Sequence, residues 1–462
     1  MRDIKREHFL PLFCLLLALF RFSAFGFAYA PLLDDYIQYG VYPHLPNVWN
    51  GVLTGGAGTV YTRPLAALAD VYLWGKLWEN LSIALILVSV LYAGSGILFY
   101  KSAQILKFTL SPSFLLVYLF LPLNMEGTYW LSASTRIVTS LFFAAIGIYL
   151  LAQSLQGGSG WHLAGYAAFC LLSCGFYEQT AVVSCALGIV IMIWKKRWSP
   201  IWIPFLCMGL LAAYYLLLGD MGDNSGRIGI LPLAELLPHA KDVLADLSNL
   251  LTVQSAQLLR NGLVRGCEVI VRQKLWIWAV MSVIAVLLWG IALYRDRRKP
   301  ALTCKTFFLR LGLGILLIGA AFAPFFFTKA VWLNYRNIVP ALLGFGIIVD
   351  AAVRFFLRPR WVQSAVESIA LAFFLLVTVS ELADYRAVGS MDYAAAQEVA
   401  RQMEEAEVEA AEFTSDLPVY IEQNAPYRDH IMSVFGSYWG ISGAVRAVSG
   451  NFDLKPTLRT KE

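Results

Sequence analysis

Apolar residues fill this chain in long unbroken runs, and short polar stretches separate them. A helix needs about 20 such residues to cross the roughly 30 Å hydrocarbon core of a bilayer. On that criterion the pattern predicts about eleven spanning helices. They are Phe9–Tyr29, Leu81–Tyr100, Phe108–Leu123, Ile137–Leu155, Trp161–Phe176, Thr180–Trp194, Ile201–Leu218, Leu275–Tyr294, Phe307–Phe327, Ile338–Val353 and Val362–Leu382. The expected fold is an all-α polytopic membrane protein with a transmembrane domain over residues 1–382. A small extracytoplasmic α/β tail over 383–462 follows it.

Three places need a reading beyond periodicity. Between Trp161 and Trp194 the apolar run is broken once, at Gly175-Phe176-Tyr177-Glu178-Gln179. A charged, glycine-containing interruption predicts a turn between two short helices, which are tolerated where they pack in protein or line a wet cavity. A long outer loop over 219–274 opens with turn-forming Asp220, Gly222, Asp223, Asn224 and Gly226. From Leu236 on, Leu237, Val243, Leu244, Leu247, Leu250 and Leu251 recur at helical spacing, predicting an amphipathic helix at the outer surface. In the tail, Glu404, Glu405, Glu407, Glu409 and Glu412 mark an acidic helical stretch, and Leu417–Ile421 reads as a short strand. About 80 residues make a marginal domain alone, so the tail is expected to dock on the outer loops.

Composition agrees with a membrane chain. Of 462 residues, 58% are hydrophobic and 15% charged, against about 25% charged in soluble domains; mean hydropathy is +0.62. The net charge of +5 matters less than where the basic residues lie. Arg2, Lys5 and Arg6 set the N-terminus in the cytoplasm; with eleven crossings, Lys101 and Lys107, Lys195–Arg197, Arg295–Lys299 and Arg354–Arg360 all fall on that side too. No basic stripe or aromatic platform lies outside the apolar runs, which excludes nucleic acid as a partner. Ala28-Tyr29-Ala30 has the look of a signal cleavage site, but the preceding run is longer than a signal peptide's, so it is read as an uncleaved first helix. Most of the seven cysteines sit in apolar runs as small hydrophobes; Cys170 and Cys174 are four apart with no further metal ligand in view.

That topology brings the unusual polar residues to one face. The first outer loop (30–80) carries Asp34, Asp35, Tyr36, Arg63 and Asp70; the second has Asn124, Glu126, Tyr129, Trp130 and Arg136; the third has Tyr177, Glu178 and Gln179; the last has Lys329, Trp332, Asn334, Tyr335, Arg336 and Asn337. Each has a plain alternative. Asp34 and Asp35 suit the N-cap of an interfacial helix, Glu126 a solvated loop, and Trp130 and Trp332 an interface belt. Together, carboxylates and arginines among aromatics at one membrane face suit a lipid-linked anionic substrate. Arginine offers phosphate a planar fork of donors, and a carboxylate accepts the proton of an acceptor hydroxyl.

One membrane helix, then an outer loop with Asp34-Asp35-Tyr36, then Arg63-Pro64, resembles the GT-C fold glycosyltransferases. Within them the chain looks most like the bacterial O-antigen glucosyltransferase-type membrane proteins, with Tyr177-Glu178-Gln179 standing for their third-loop motif in modified form. The resemblance covers roughly Phe9 to Leu382. It implies sugar transfer from a polyprenyl-phosphate donor to a glycan or lipid acceptor outside the cytoplasm, in a bacterial inner membrane. It implies a first-loop aspartate as base, with Asp34 ahead of Asp35. Tyr36, Arg63, Glu126, Tyr177, Glu178 and Arg336 are then expected at the substrates, Arg63 and Arg336 at the lipid phosphate. Some members use a divalent metal and others none, and two adjacent carboxylates leave that open. Two other classes compete: a lipid-linked-saccharide transporter or flippase, and an O-antigen ligase or polymerase, which the long outer loop keeps in play.

Overall fold

The fold is described from a computed structural model, for residues 9–49, 63–218, 231–295, 301–329, 331–414, 431–436 and 438–459. It is all-helical apart from one small pair of strands. Among the described residues seven helices are long and apolar enough to cross a membrane: Trp74–Ile105, Leu131–Leu155, Ser199–Leu217, Trp276–Tyr294, Cys304–Phe326, Tyr335–Phe356 and Arg360–Glu405. The other four segments expected to span are helical but shorter: Phe9–Phe20 (α1), Pro112–Phe120, Gly160–Phe176 and Glu178–Trp194.

The shortening has local causes. Helix α1 stops at Phe20 because Arg21 turns inward, and a 3₁₀ turn over Ser23–Phe25 closes on Gly26, whose φ of 80° suits glycine. Pro112 opens its helix at the first turn, where a missing N–H costs nothing, and Pro122 follows its end. All nine residues of Pro112–Phe120 are buried, so this short helix is a central post.

The run from Trp161 to Trp194 folds back on itself. Tyr177 is extended (φ −156°, ψ 119°) between two 17-residue helices. Cys170 and Cys185 lie 15 apart in sequence, which is about 22 Å along one straight helix, yet their Sγ atoms are 3.6 Å apart. Cys174 and Cys207 also reach these thiols. The cysteine neighbours that the sequence hid are therefore on adjacent helices, although among the described residues no group of three or more His, Cys, Asp or Glu is arranged to hold a metal ion.

The outer segment gives two amphipathic helices, Leu236–Asn249 and Ser255–Arg272, joined by a wider turn over Leu250–Gln254. The turn-rich stretch over 219–230 lies outside the described residues, as does the strand expected over Leu417–Ile421. The largest departure is the last long helix, Arg360–Glu405 (α15, the fifteenth of sixteen α-helices in chain order among the described residues), with 46 residues. The boundary expected at 382/383 falls inside it. Beyond Leu382 the composition turns polar, but Ala, Glu, Gln and Arg are strong helix formers and nothing there breaks the ladder. After α15 come strand β1 (Ala410–Thr414), helix α16 (Tyr438–Ser449) and strand β2 (Lys455–Arg459), which pairs parallel with β1 in the register Ala410 to Lys455.

Candidate functional site

The first loop is built around Asp35. Its side chain is wholly buried and accepts three hydrogen bonds: from Tyr29 Oη at 2.6 Å, from the Leu32 N–H at 2.9 Å and from the Ser132 N–H at 2.8 Å. Tyr29 Oη in turn accepts from the Leu131 N–H at 2.9 Å. Asp35 thus ties the loop to the start of the helix Leu131–Leu155. Burial pushes the Asp35 carboxyl up to about 7, against the three hydrogen bonds that favour its ionised form.

Asp34 is only half-buried. The residue before it, Leu33, has a φ of 23°. For a leucine that conformation costs on the order of 1–3 kcal/mol and persists only where the surroundings impose it. Here Leu33 is buried, and the Asp35 bond to Leu32 brackets it. The Tyr36 ring is fully buried, edge-on to Trp78, and packs the loop.

Arg63 precedes the helix Pro64–Tyr72 and meets the hairpin. Its Nε and Nη2 donate to the two carboxylate oxygens of Glu178 at 2.8 and 2.7 Å, and its guanidinium lies 4.4 Å from the centre of the Tyr177 ring. This fork geometry is the strong form of a carboxylate pair. About a quarter of each side chain remains exposed. From the same short helix, Asp70 accepts from Arg136 Nε at 3.1 Å and Nη2 at 2.6 Å, and here both partners are buried. Burial pushes the Asp70 carboxyl up, and Arg136 opposes it.

Glu126 is not solvated. It is buried, accepts from the Arg336 N–H at 3.3 Å and from Asn334 Nδ2 at 3.4 Å, and lies 3.6 Å from the Arg336 guanidinium. Arg336 sits between Trp130 and Trp332, 5.4 and 5.1 Å from their ring centres, which makes both tryptophans partners of the cluster. Asn334 and Asn337 cap each other in a reciprocal box. Asn337 Nδ2 also donates to Tyr177 Oη at 3.2 Å and to Gln179 Oε1 at 3.0 Å. The fourth loop is thereby bound to the third.

The four loops form one charged patch. Asp34 and Asp70 feel each other's charge, Asp70 feels Arg63, and Tyr177 feels both Arg63 and Arg336. Asp34, Arg63, Glu178 and Arg336 are partly exposed, while Asp35, Asp70, Glu126 and Arg136 are buried behind them. Two residues of this region escape a sequence reading. Tyr29 looked like part of a cleavage motif. Arg21 sat unremarked inside an apolar run, yet it is buried and donates to Leu119 O, Asn124 Oδ1 and Thr128 Oγ1 while lying over Phe22 and Tyr92. Its signal was the charge itself, since an ionisable residue inside a span is a functional or structural candidate by default.

No family model and no curated protein matches this chain.

Proposed function

We propose that this chain is an integral membrane glycosyltransferase of GT-C type, moving a sugar from a polyprenyl-phosphate donor to a hydroxyl of an extracytoplasmic glycan or lipid. The reading rests on one observation: Asp34, Arg63, Glu178 and Arg336 come from four separate parts of the chain and converge as partly exposed charges on an otherwise apolar bundle. A partly exposed carboxylate in one patch with two paired arginines matches what the reaction needs. Asp34 takes the proton from the acceptor hydroxyl as its oxygen attacks the anomeric carbon. The bond from that carbon to the phosphate oxygen breaks with inversion. The polyprenyl phosphate leaves with the electron pair, and Arg63 and Arg336 neutralise its charge. Their partners Glu178 and Glu126 hold the two guanidiniums in place. In this reading all eleven helical segments cross the bacterial inner membrane, the short ones shielded inside the bundle, and the patch faces away from the cytoplasm.

A transporter of lipid-linked saccharide is the second reading, favoured by the number of ionisable groups inside the helices. Arg310, Asp350, Arg354, Glu367 and Glu381 are all buried there, and neither oxygen of Glu381 has a hydrogen-bond partner among the described residues. Such groups mark substrate or proton pathways in many membrane proteins.

The deciding experiment offers radiolabelled polyprenyl-phosphate sugars to purified protein. Asp34→Asn lowers transfer by about 100-fold or more without moving the melting temperature. Undiminished transfer by Asp34→Asn would sink the base assignment. Saccharide translocation in proteoliposomes without transfer would select the transporter.

A further inference from the structure

The C-terminal segment packs on the loop that carries Asp34, and it does so through backbone-close contacts. Helix α16 turns Ile441, Ala444, Val445 and Ala447 inward as one apolar face. It meets the turn Tyr36–Val41, which continues directly from Asp34-Asp35. A β-carbon built on Gly443 would collide with the Ile37 side chain; one on Gly40 would lie 2.5 Å from Ala447 Cβ and 3.0 Å from Trp78. Both sides of this contact therefore depend on the absence of a side chain. Further along, His44 stacks on Phe452 with ring centres 5.8 Å apart and planes within 8°.

The same segment is pinned to α15. Asp392 is wholly buried and accepts from Ser433 Oγ at 2.6 Å and from the Val434 N–H at 2.9 Å. Three residues before Asp392, Gly389 presses on the start of the first loop: a β-carbon on it would lie 2.9 Å from Ala30 Cβ and 3.0 Å from Ala30 O. Arg386 donates to Phe25 O at 3.0 Å. The loop is thus gripped on both sides of Asp34 by the last part of the chain, and between the grips Leu33 holds its positive φ.

We propose that the C-terminal segment is a positioning element of the site, and that Gly443 and Asp392 are positioning residues that fix the loop backbone presenting Asp34. This rests on the reading of Asp34 as base, but its primary test does not. Asp34→Cys is made in the full-length protein, and its labelling by a membrane-impermeant maleimide is followed by mass spectrometry. The native exposed Cys267 is the internal reference. Adding Gly443→Leu, or separately Asp392→Asn, changes the labelling rate at position 34 severalfold and leaves that of Cys267 unchanged. With Asp34 intact, the same two changes lower kcat by about 10- to 100-fold with KM for the donor little altered, and Gly443→Ala falls between. Equal labelling at position 34 with and without both changes overturns the proposal, whatever happens to activity. Should Gly443→Leu fail to insert, Asp392→Asn decides by the same readout. If labelling shifts while Asp34→Asn retains transfer, positioning stands and the base assignment alone falls.

Discussion

At Asp35 three donors converge on one buried carboxylate, and burial and hydrogen bonding oppose each other there. Its folded-state value of about 7 lies above the ordinary 3.8. The folded protein therefore holds a proton that the unfolded chain has already lost between those two values. Stability from this group is fully present below about pH 4 and is lost as pH rises towards 7. The melting temperature in detergent is expected to fall between about pH 4 and 7, and the slope to vanish in Asp35→Asn. That variant is itself less stable by about 1–3 kcal/mol, because an amide cannot accept from all three donors and leaves a buried N–H unmet. A flat pH profile in the unaltered protein would contradict the burial of Asp35. Neighbouring aspartates thus have opposite surroundings, which Asp34-Asp35 as letters does not reveal. Charge placement along the chain led to the expectation that Arg63, Glu178 and Arg336 share one face. Their actual pairing, Arg63 with Glu178 and Arg336 with Glu126, depends on hairpin and loop packing that no spacing rule encodes.

Between elements, close approach is set by small residues. Helices Cys304–Phe322 and Leu342–Phe356 cross where Gly314 faces Gly344: a β-carbon on Gly314 would lie 2.8 Å from Gly344 O, and one on Gly344 would collide with Gly314 O. Lipid tails are as apolar as leucine, so helices in a membrane gain from such backbone-level packing more than from burial. Gly314→Leu is expected to separate the pair and cost about 1–3 kcal/mol, read as a lower melting temperature in detergent, whereas Leu→Ala changes on the exposed face at Leu309 leave it within error. An unchanged melting temperature for Gly314→Leu would refute the crossing. Helix positions were legible because apolar runs and charged breaks are local signals, and each of the eleven expected segments carries a helix. Helix ends were less so. Arg21 ends α1 early, and α15 runs on through the polar residues beyond Leu382, because polarity alone does not break a helix.

For the whole molecule, α15 is the element that relates the bundle to the tail. Its 46 residues extend about 69 Å, more than twice the hydrocarbon thickness, so a spanning α15 projects well beyond the membrane. Its apolar part holds Phe374, Leu375, Val377 and Val379 against the bundle, and its polar part holds Asp392 against the tail. If eleven segments cross from a cytoplasmic N-terminus, the projecting end lies outside, together with the charged patch. The hairpin at Tyr177 decides this parity. Were Trp161–Trp194 a single crossing, Lys195–Arg197 would lie outside and every later segment would invert. The contact between Cys170 and Cys185 argues for two antiparallel helices, each about 25 Å long, short for a bilayer but flanked by longer neighbours. A reporter active only outside the cytoplasm is expected to be silent when fused after Lys196 and active when fused after Glu405. Activity at Lys196 would mean that the hairpin does not cross twice; silence at Glu405 would put the tail, and with it the loop it grips, on the cytoplasmic side, where a polyprenyl-phosphate donor presented outside could not reach Asp34.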